Sequence, residues 1–329
     1  MSIFIRDIYK MPQGQEFEDF FLIESVEIKK HRTGEPYLRL VVSDRTGTLP
    51  ILWWKPLKDT DLSVFKKGRV VFIQAYVEIF QGNVQPKIRF MRQAENGEFA
   101  EEKFISKSRF DIEEQFTKLL EIIDSIRNSY LKKLLEAIFY NDEISSVFTK
   151  APGGKFIHHA SIGGLIEHTL GVVEICEVVA KRYKSIDRDL LITAAVLHDI
   201  GKIHEYSMDI AIDRTDEGIL LGHIYTGSEF IAKMIAEIED FPKELKVKLI
   251  HCILSHHGEY EYGSPKKPKT LEAVALHYAD ALDSKVKGYE EHIERELGEN
   301  KGWTKRHFAY EVPIYFDGEI NYGEKETDL

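Results

Sequence analysis

The chain has 329 residues, 43% apolar and 30% charged, the balance of a soluble globular protein long enough for about two domains. No apolar run approaches the roughly 20 residues that span a bilayer, and the N-terminal MSIFIRDIYKMPQGQEF has early acidic residues and no long apolar core, so neither a membrane span nor a signal peptide is expected. The net charge of −11 is unevenly spread: residues to Gly97 hold 15 Lys and Arg against 12 Asp and Glu, and the remainder 29 against 43, so the total does not exclude nucleic-acid binding by the mildly basic first part.

Residues 20–94 read as strands. Residues 20–31 alternate loosely, Thr33-Gly34 turns, and residues 37–43 alternate again. Asp44-Arg45-Thr46-Gly47 is a second turn, residues 49–54 a third strand, and residues 56–65 a short helical or irregular connection. Residues 68–80 and 84–92 form a hairpin through Gln81-Gly82-Asn83. Five strands with a connection between the third and fourth follow the order of an OB-fold, a small β-barrel that commonly binds single strands. Trp53, Trp54, Tyr76 and Phe80 are its candidate stacking residues, with Lys29, Lys30, Arg32, Lys87 and Arg89 as phosphate contacts. Because every second aromatic of a barrel strand faces the core, about half of these are expected to be packing residues.

After the polar, charged stretch 95–109 the apolar period changes to three and four, and helices dominate to about residue 296. The fold class is therefore multidomain α and β: a five-stranded OB-fold barrel over residues 1–97, a linker over 98–115, an all-α domain over 116–298 and an extension over 299–329. Cys176 and Cys252 both fall in apolar helical patterns and read as small core residues in a reducing, cytoplasmic compartment, without a disulfide framework.

The helical part places its polar residues at helix ends. The apolar run 190–197 ends abruptly in His198-Asp199 and is stopped by Gly201; residues 243–255 end likewise in His256-His257-Gly258. His168 sits near the start of a helix that follows Gly163-Gly164, His223 opens another, and Asp280 lies among small apolar residues. Each alone is more often a core histidine or a paired carboxylate. Together they are what successive helices deliver when each brings a ligand to one interior point. Mixed imidazole and carboxylate ligation suits Mn, Fe, Co or Zn better than Mg or Ca, and no thiolate stands at a ligand position.

As a set, GGLIEHT, LHDIGK, GH, SHHG and a late Asp resemble the HD-domain metal-dependent phosphohydrolases. With an OB-like domain in front, the chain more closely resembles the YhaM family of 3′-to-5′ exoribonucleases over nearly its whole length, notably in HHASIGGLIEHTL and SHHGEYEYGSPKKP. The resemblance implies that His168, His198, Asp199 and Asp280 hold one divalent ion, and that His223 and His256, with Asp199 bridging, hold a second, His257 replacing or assisting His256. Two such ions, manganese first and cobalt, iron or zinc as alternatives, would activate water to release nucleoside 5′-monophosphates from single-stranded RNA, with single-stranded DNA left open. Lys202 is a candidate to neutralise phosphate charge. In residues 259–270, Tyr260 and Tyr262 offer stacking and Lys266, Lys267 and Lys269 offer charge; His158 and His159 are further candidates for phosphate contact. The barrel would raise the local concentration of RNA. Two other readings stand beside this one: an HD-domain phosphohydrolase of nucleotides or cyclic nucleotides, and a non-catalytic nucleic-acid-binding protein. The tail after residue 298 matches no motif and is open to packing on the core or on a second subunit of a homo-oligomer.

Overall fold

The computed structural model describes residues 2–30, 34–54, 61–95, 97–104, 106–108, 110–154, 159, 161–208, 212–297, 300–307 and 309–318. It divides into two units, Met1–Ser106 with Met208–Ile212, and Lys107–Ser207 with Asp213–Leu329.

In the first unit, strands β1 (Glu16–Lys30), β2 (Pro36–Asp44), β3 (Gly47–Trp53), β4 (Val70–Tyr76) and β5 (Lys87–Gln93) close a barrel in the order β1-β2-β3-β5-β4. That order, with a parallel closure between β3 and β5, is the OB-fold topology. The long β1 serves two walls: residues up to Leu22 pair with β4 and residues from Leu22 onward pair with β2, with an irregularity between Ile23 and Ser25 that bends the strand. Alternate positions point inward, so Phe21, Ile23, Leu38, Leu40, Leu49, Ile51, Val71 and Ile73 form the core, with Ile5 and Ile8 of the short helix Ile5–Ile8 packed on it. Each such side chain contributes roughly 1.5–3 kcal/mol through its burial.

Two expectations change here. The strand expected over 68–80 leaves the ladder after Tyr76, because Val77 is buried and pairs with the segment before β1: its N–H donates to Gln15 O at 2.8 Å and its carbonyl accepts from Gly14 N at 2.8 Å. Ile79–Phe80 then pairs with Asn83–Val84 as a separate ribbon. Part of the stretch expected as linker is built into the first unit, where Lys103 is buried and pairs with Asp19 at 2.6 Å. Arg32, Thr33 and residues 56–60 of the connection expected over 56–65 lie outside the described residues.

The second unit contains α1 (Ile112–Asp124), α2 (Ser129–Phe139), α3 (Asp142–Lys150), α4 (Gly164–Arg182), α5 (Arg188–Leu197), α6 (Lys202–Glu205), α7 (Asp216–Leu220), α8 (Gly222–Ala236), α9 (Lys243–Ser255) and α10 (Leu271–Leu297). Side-chain caps start the first three: Asp111, Asn128 and Asn141 each accept from two backbone N–H groups of the following turn. Helix α5 is buried at every position from Leu190 to Leu197, which accounts for a sequence that is apolar all round, and α2, α4, α9 and α10 pack about it. Cys176 and Cys252 lie in this core, where burial pushes both thiols up to about 12. In the tail, Gly302–Trp303 pairs with Tyr315–Phe316, and Tyr310 stacks on His307 at 4.3 Å and donates its hydroxyl to Ser284 O at 3.4 Å on α10. Among the described residues, no helix is long and apolar enough to cross a membrane.

Candidate metal centre

The end of α5 delivers two groups to the middle of the helical unit, because nothing charged interrupts the buried run of that helix until His198 and Asp199. Both are buried, and Asp199 uses its two oxygens in two directions. Toward one side, Oδ2 lies 3.4 Å from His198 Nε2 and 3.5 Å from His168 Nε2 of α4. His168 Nε2 is in turn 3.3 Å from Asp280 Oδ1 of α10. Toward the other side, Oδ1 lies 3.4 Å from His223 Nε2 of α8 and 3.7 Å from His256 Nε2 at the end of α9. His257 joins this second group, with ring nitrogens of His223, His256 and His257 all within 4.8 Å of one another. The rings of both His256 and His257 lie beside that of His223, at centroid distances of 5.8 and 5.2 Å.

The five histidines present the same edge. In each, Nδ1 is occupied: His198 by Ala195 O at 2.8 Å, His256 by Ile253 O at 2.7 Å, His257 by Tyr262 O at 2.9 Å, His168 by Asp283 Oδ2 at 2.6 Å and His223 by Glu205 Oε2 at 2.6 Å. A carbonyl or carboxylate acceptor holds the proton on Nδ1 and leaves the Nε2 lone pair for a ligand. Asp199 Oδ1, His223 Nε2 and His256 Nε2 are buried without a hydrogen-bond partner, which costs roughly 1–3 kcal/mol for each such group unless something else satisfies it. Burial and the neighbouring His257 and His198 hold His256 well below the usual histidine range, so its ring is a neutral donor. Burial opposes ionisation of Asp199, yet Lys202 and His198 outweigh it and keep the carboxyl well below its ordinary value. A neutral His256 and an ionised Asp199, with converging unsatisfied atoms around them, fit divalent cations.

Lys202 is not a surface lysine. It is buried, with Nζ 2.5 Å from Asp199 Oδ2 and donating to Gly153 O. His159, expected at the substrate, is also buried, with Nε2 3.1 Å from Asp283 Oδ2; a side chain enclosed behind His168 is not available to a phosphate, so that expectation is corrected. His158 lies outside the described residues. Tyr260 and Tyr262 are exposed on the turn Tyr260–Tyr262, which is tied to the centre through the His257 bond to Tyr262 O. Lys266 and Lys269 are exposed nearby, while Lys267 pairs with Glu259 at 2.5 Å and lies over the Tyr260 ring at 5.4 Å.

The barrel sorts its candidates by face. Trp53 is only 1% exposed and packs edge-on against Phe65 at 5.7 Å, so it is a core residue and not a stacking surface. Trp54, pointing the other way, stacks on Tyr37 at 4.8 Å. Tyr76 lies under Arg89 at 5.1 Å, and Phe80 is exposed on the ribbon. Lys29, Lys87 and Arg89 are paired with Glu27, Glu78 and Glu16 at 2.9, 2.5 and 2.6 Å, so their charge is partly answered within the barrel; Lys30 is exposed.

Sequence reasoning assigned no role to Asp283 and Glu205. Each stands three residues after a residue that it did assign, Asp280 and Lys202, and so on a neighbouring helical position. That spacing is the signal that was present.

The family model described as HD domain matches residues 165–285, which include every histidine and aspartate of the centre. The 3′-5′ exoribonuclease YhaM of Bacillus velezensis is 31% identical over 92% of this chain and 95% of its own length, and that of Bacillus subtilis is 30% identical over the same shares. The second OB-fold domain of replication protein A from Methanococcus maripaludis is 16% identical and covers 30% of this chain and 98% of its own, at a TM-score of 0.23. With identity to the exoribonucleases sustained over 92% of its length, barrel and helices alike, the chain belongs to the YhaM family of 3′-5′ exoribonucleases.

Proposed function

We propose that this protein is a divalent-metal-dependent 3′-5′ exoribonuclease of the cytoplasm, taking single-stranded RNA to nucleoside 5′-monophosphates, with manganese as its first-choice ion. The observation that carries the reading is Asp199, whose two buried oxygens face two separate groups of histidine nitrogens. His168, His198 and Asp280 with Oδ2 would hold one ion, and His223, His256 and His257 with Oδ1 a second. When bound, such a pair supplies Lewis acidity toward phosphate and toward water, which removes the need for a strong general base from the protein.

The chain's own residues supply position. Lys202, tied to Asp199 and Gly153, keeps the shared carboxylate ionised and fixed; we assign it this holding role in place of direct phosphate contact. The exposed rings of Tyr260 and Tyr262 offer stacking to terminal bases, and Lys266 offers charge to the backbone. On the barrel, Phe80 and the stacked Tyr37 and Trp54 offer further base contacts, each worth roughly 1–3 kcal/mol where a base stacks.

The test is hydrolysis of a 5′-labelled single-stranded RNA with Mn2+, alongside the same sequence as DNA and a panel of nucleotides and cyclic nucleotides. A ladder that shortens by one nucleotide from the 3′ end is expected. Turnover of free nucleotides with RNA left intact overturns the proposal.

A further inference from the structure

Behind His168 lies a largely enclosed chain of charged groups that ion binding alone does not account for. Asp283 Oδ2 meets His168 Nδ1 at 2.6 Å and His159 Nε2 at 3.1 Å, so one carboxylate oxygen joins two imidazoles. The other nitrogen of His159 faces Glu167 Oε1 at 3.5 Å, and Glu167 is closed on its far side by Lys287 Nζ at 2.6 Å. The backbone of His159 is held as well: its N–H donates to Glu291 Oε1 at 3.1 Å and its carbonyl accepts from Gly153 N at 2.9 Å.

The fold makes room for this chain at some expense. His159 has φ 50°, a left-handed conformation that a non-glycine residue keeps only when its surroundings impose it. A Cβ at Gly171 would collide with Asp283 Oδ1, and one at Gly164 with the His159 carbonyl oxygen. The glycine-rich approach to α4 is thus shaped around His159. Buried ion pairs are weak contributors to stability and are often replaceable by apolar residues. A series of them ending on the Nδ1 of a metal ligand has a different use, because the group behind a ligand histidine sets its tautomer and ring orientation. Asp283 and Glu167 flank the His159 ring, and Lys287 closes Glu167 from its far side.

We propose, on the metal-centre reading above, that His159 is a positioning residue of that centre, acting through Asp283 to fix His168 and so to set the affinity of the ion position formed by His168, His198 and Asp280. The other position, where Glu205 stands behind His223, is independent of it.

The test is Mn2+ titration of the metal-free full-length protein by calorimetry, with bound metal measured separately. The unmutated protein is expected to bind two ions; if it binds none, the metal-centre reading itself falls. His159→Leu and Asp283→Asn should each weaken one ion by about 10–100-fold and leave the other unchanged. His159→Gln, whose amide can still reach Asp283, should restore most of the loss. The double variant His159→Leu with Asp283→Asn should bind no more weakly than Asp283→Asn alone, because the first residue acts through the second. A purely structural role would move both ions or give additive losses. If Asp283→Asn does not fold by circular dichroism, His159→Leu against His159→Gln decides. Two ions bound by His159→Leu with unchanged affinity, or additive losses in the double variant, overturn the proposal.

Discussion

The two units treat a buried aspartate in opposite ways. In the barrel, Asp44 is 6% exposed and its carboxylate is fully engaged: Oδ2 accepts from Ile5 N at 2.7 Å, and Oδ1 from the Thr46 N–H at 2.7 Å and hydroxyl at 2.6 Å. In the helical unit, Asp199 is 3% exposed, yet Oδ1 has no hydrogen-bond partner and two histidine nitrogens beside it share that condition. A fold settles a buried charge of the first kind by itself, and Asp44 serves to tie the N-terminal segment to a turn. The second kind is completed only by something added, so the helical unit is built around an incomplete interior.

That contrast can be broken at several places. The largest effect is expected from Asp199→Ala, which removes the shared ligand and should lower RNA hydrolysis by about 10³-fold or more while ending binding of both ions; a ladder assay paired with metal analysis checks it. Hydrolysis near the unmutated rate would mean that the interior is complete without a cation. In the barrel, Ile51→Ala leaves a cavity and should cost about 2–5 kcal/mol, the same with and without metal, as read by urea unfolding of the full chain. Removing metal from the intact protein should shift only the unfolding of the helical unit, by about 2.7 kcal/mol for each ion whose free concentration had stood at a hundred times its Kd; calorimetry with and without chelator separates the two transitions.

A smaller effect sharpens the comparison through pH. Burial raises the Asp19 carboxyl, but Lys103 and the N–H groups of Ile3 and Phe20 outweigh it and set the folded value below the ordinary one. A depressed carboxylate adds stability that is present above its unfolded value of about 3.9 and is lost as pH falls through the folded value. Asp19→Asn should therefore flatten the acid limb of barrel unfolding, measured by urea titrations at successively lower pH. The least change is expected at the thiols: with Cys176 and Cys252 buried and pushed up to about 12, neither should react with a thiol reagent under mildly alkaline conditions until the helical core unfolds. Prompt labelling would show that this core opens more readily than its packing implies.

What was legible in the sequence follows from the same physics. Candidate ligands that terminate apolar helices stand out because an imidazole or carboxylate rarely follows a wholly buried run without a partner, as at His198 and Asp199. Their supporting carboxylates do not stand out. Asp283 and Glu205 lie among other charged helical residues, and only the neighbour across the helix packing distinguishes them from solvated ones. In the barrel, alternation identified strands but not the inward face of Trp53 against Trp54, since two adjacent tryptophans satisfy either assignment. Likewise the end of β4 is set by Val77 bonding back to Gln15, a long-range choice that local pattern does not contain.

The barrel's closure has a kinetic side. Strands β3 and β5 meet at the single parallel pair Leu52 and Lys87, supported by Leu52 N donating to Pro86 O at 3.3 Å, whereas the other strand pairs run in longer antiparallel registers. A seam so short returns few hydrogen bonds for the chain that its closure must gather. For the same reason the Leu52 amide is expected to exchange with solvent sooner than amides inside the longer antiparallel ladders, as hydrogen exchange would read.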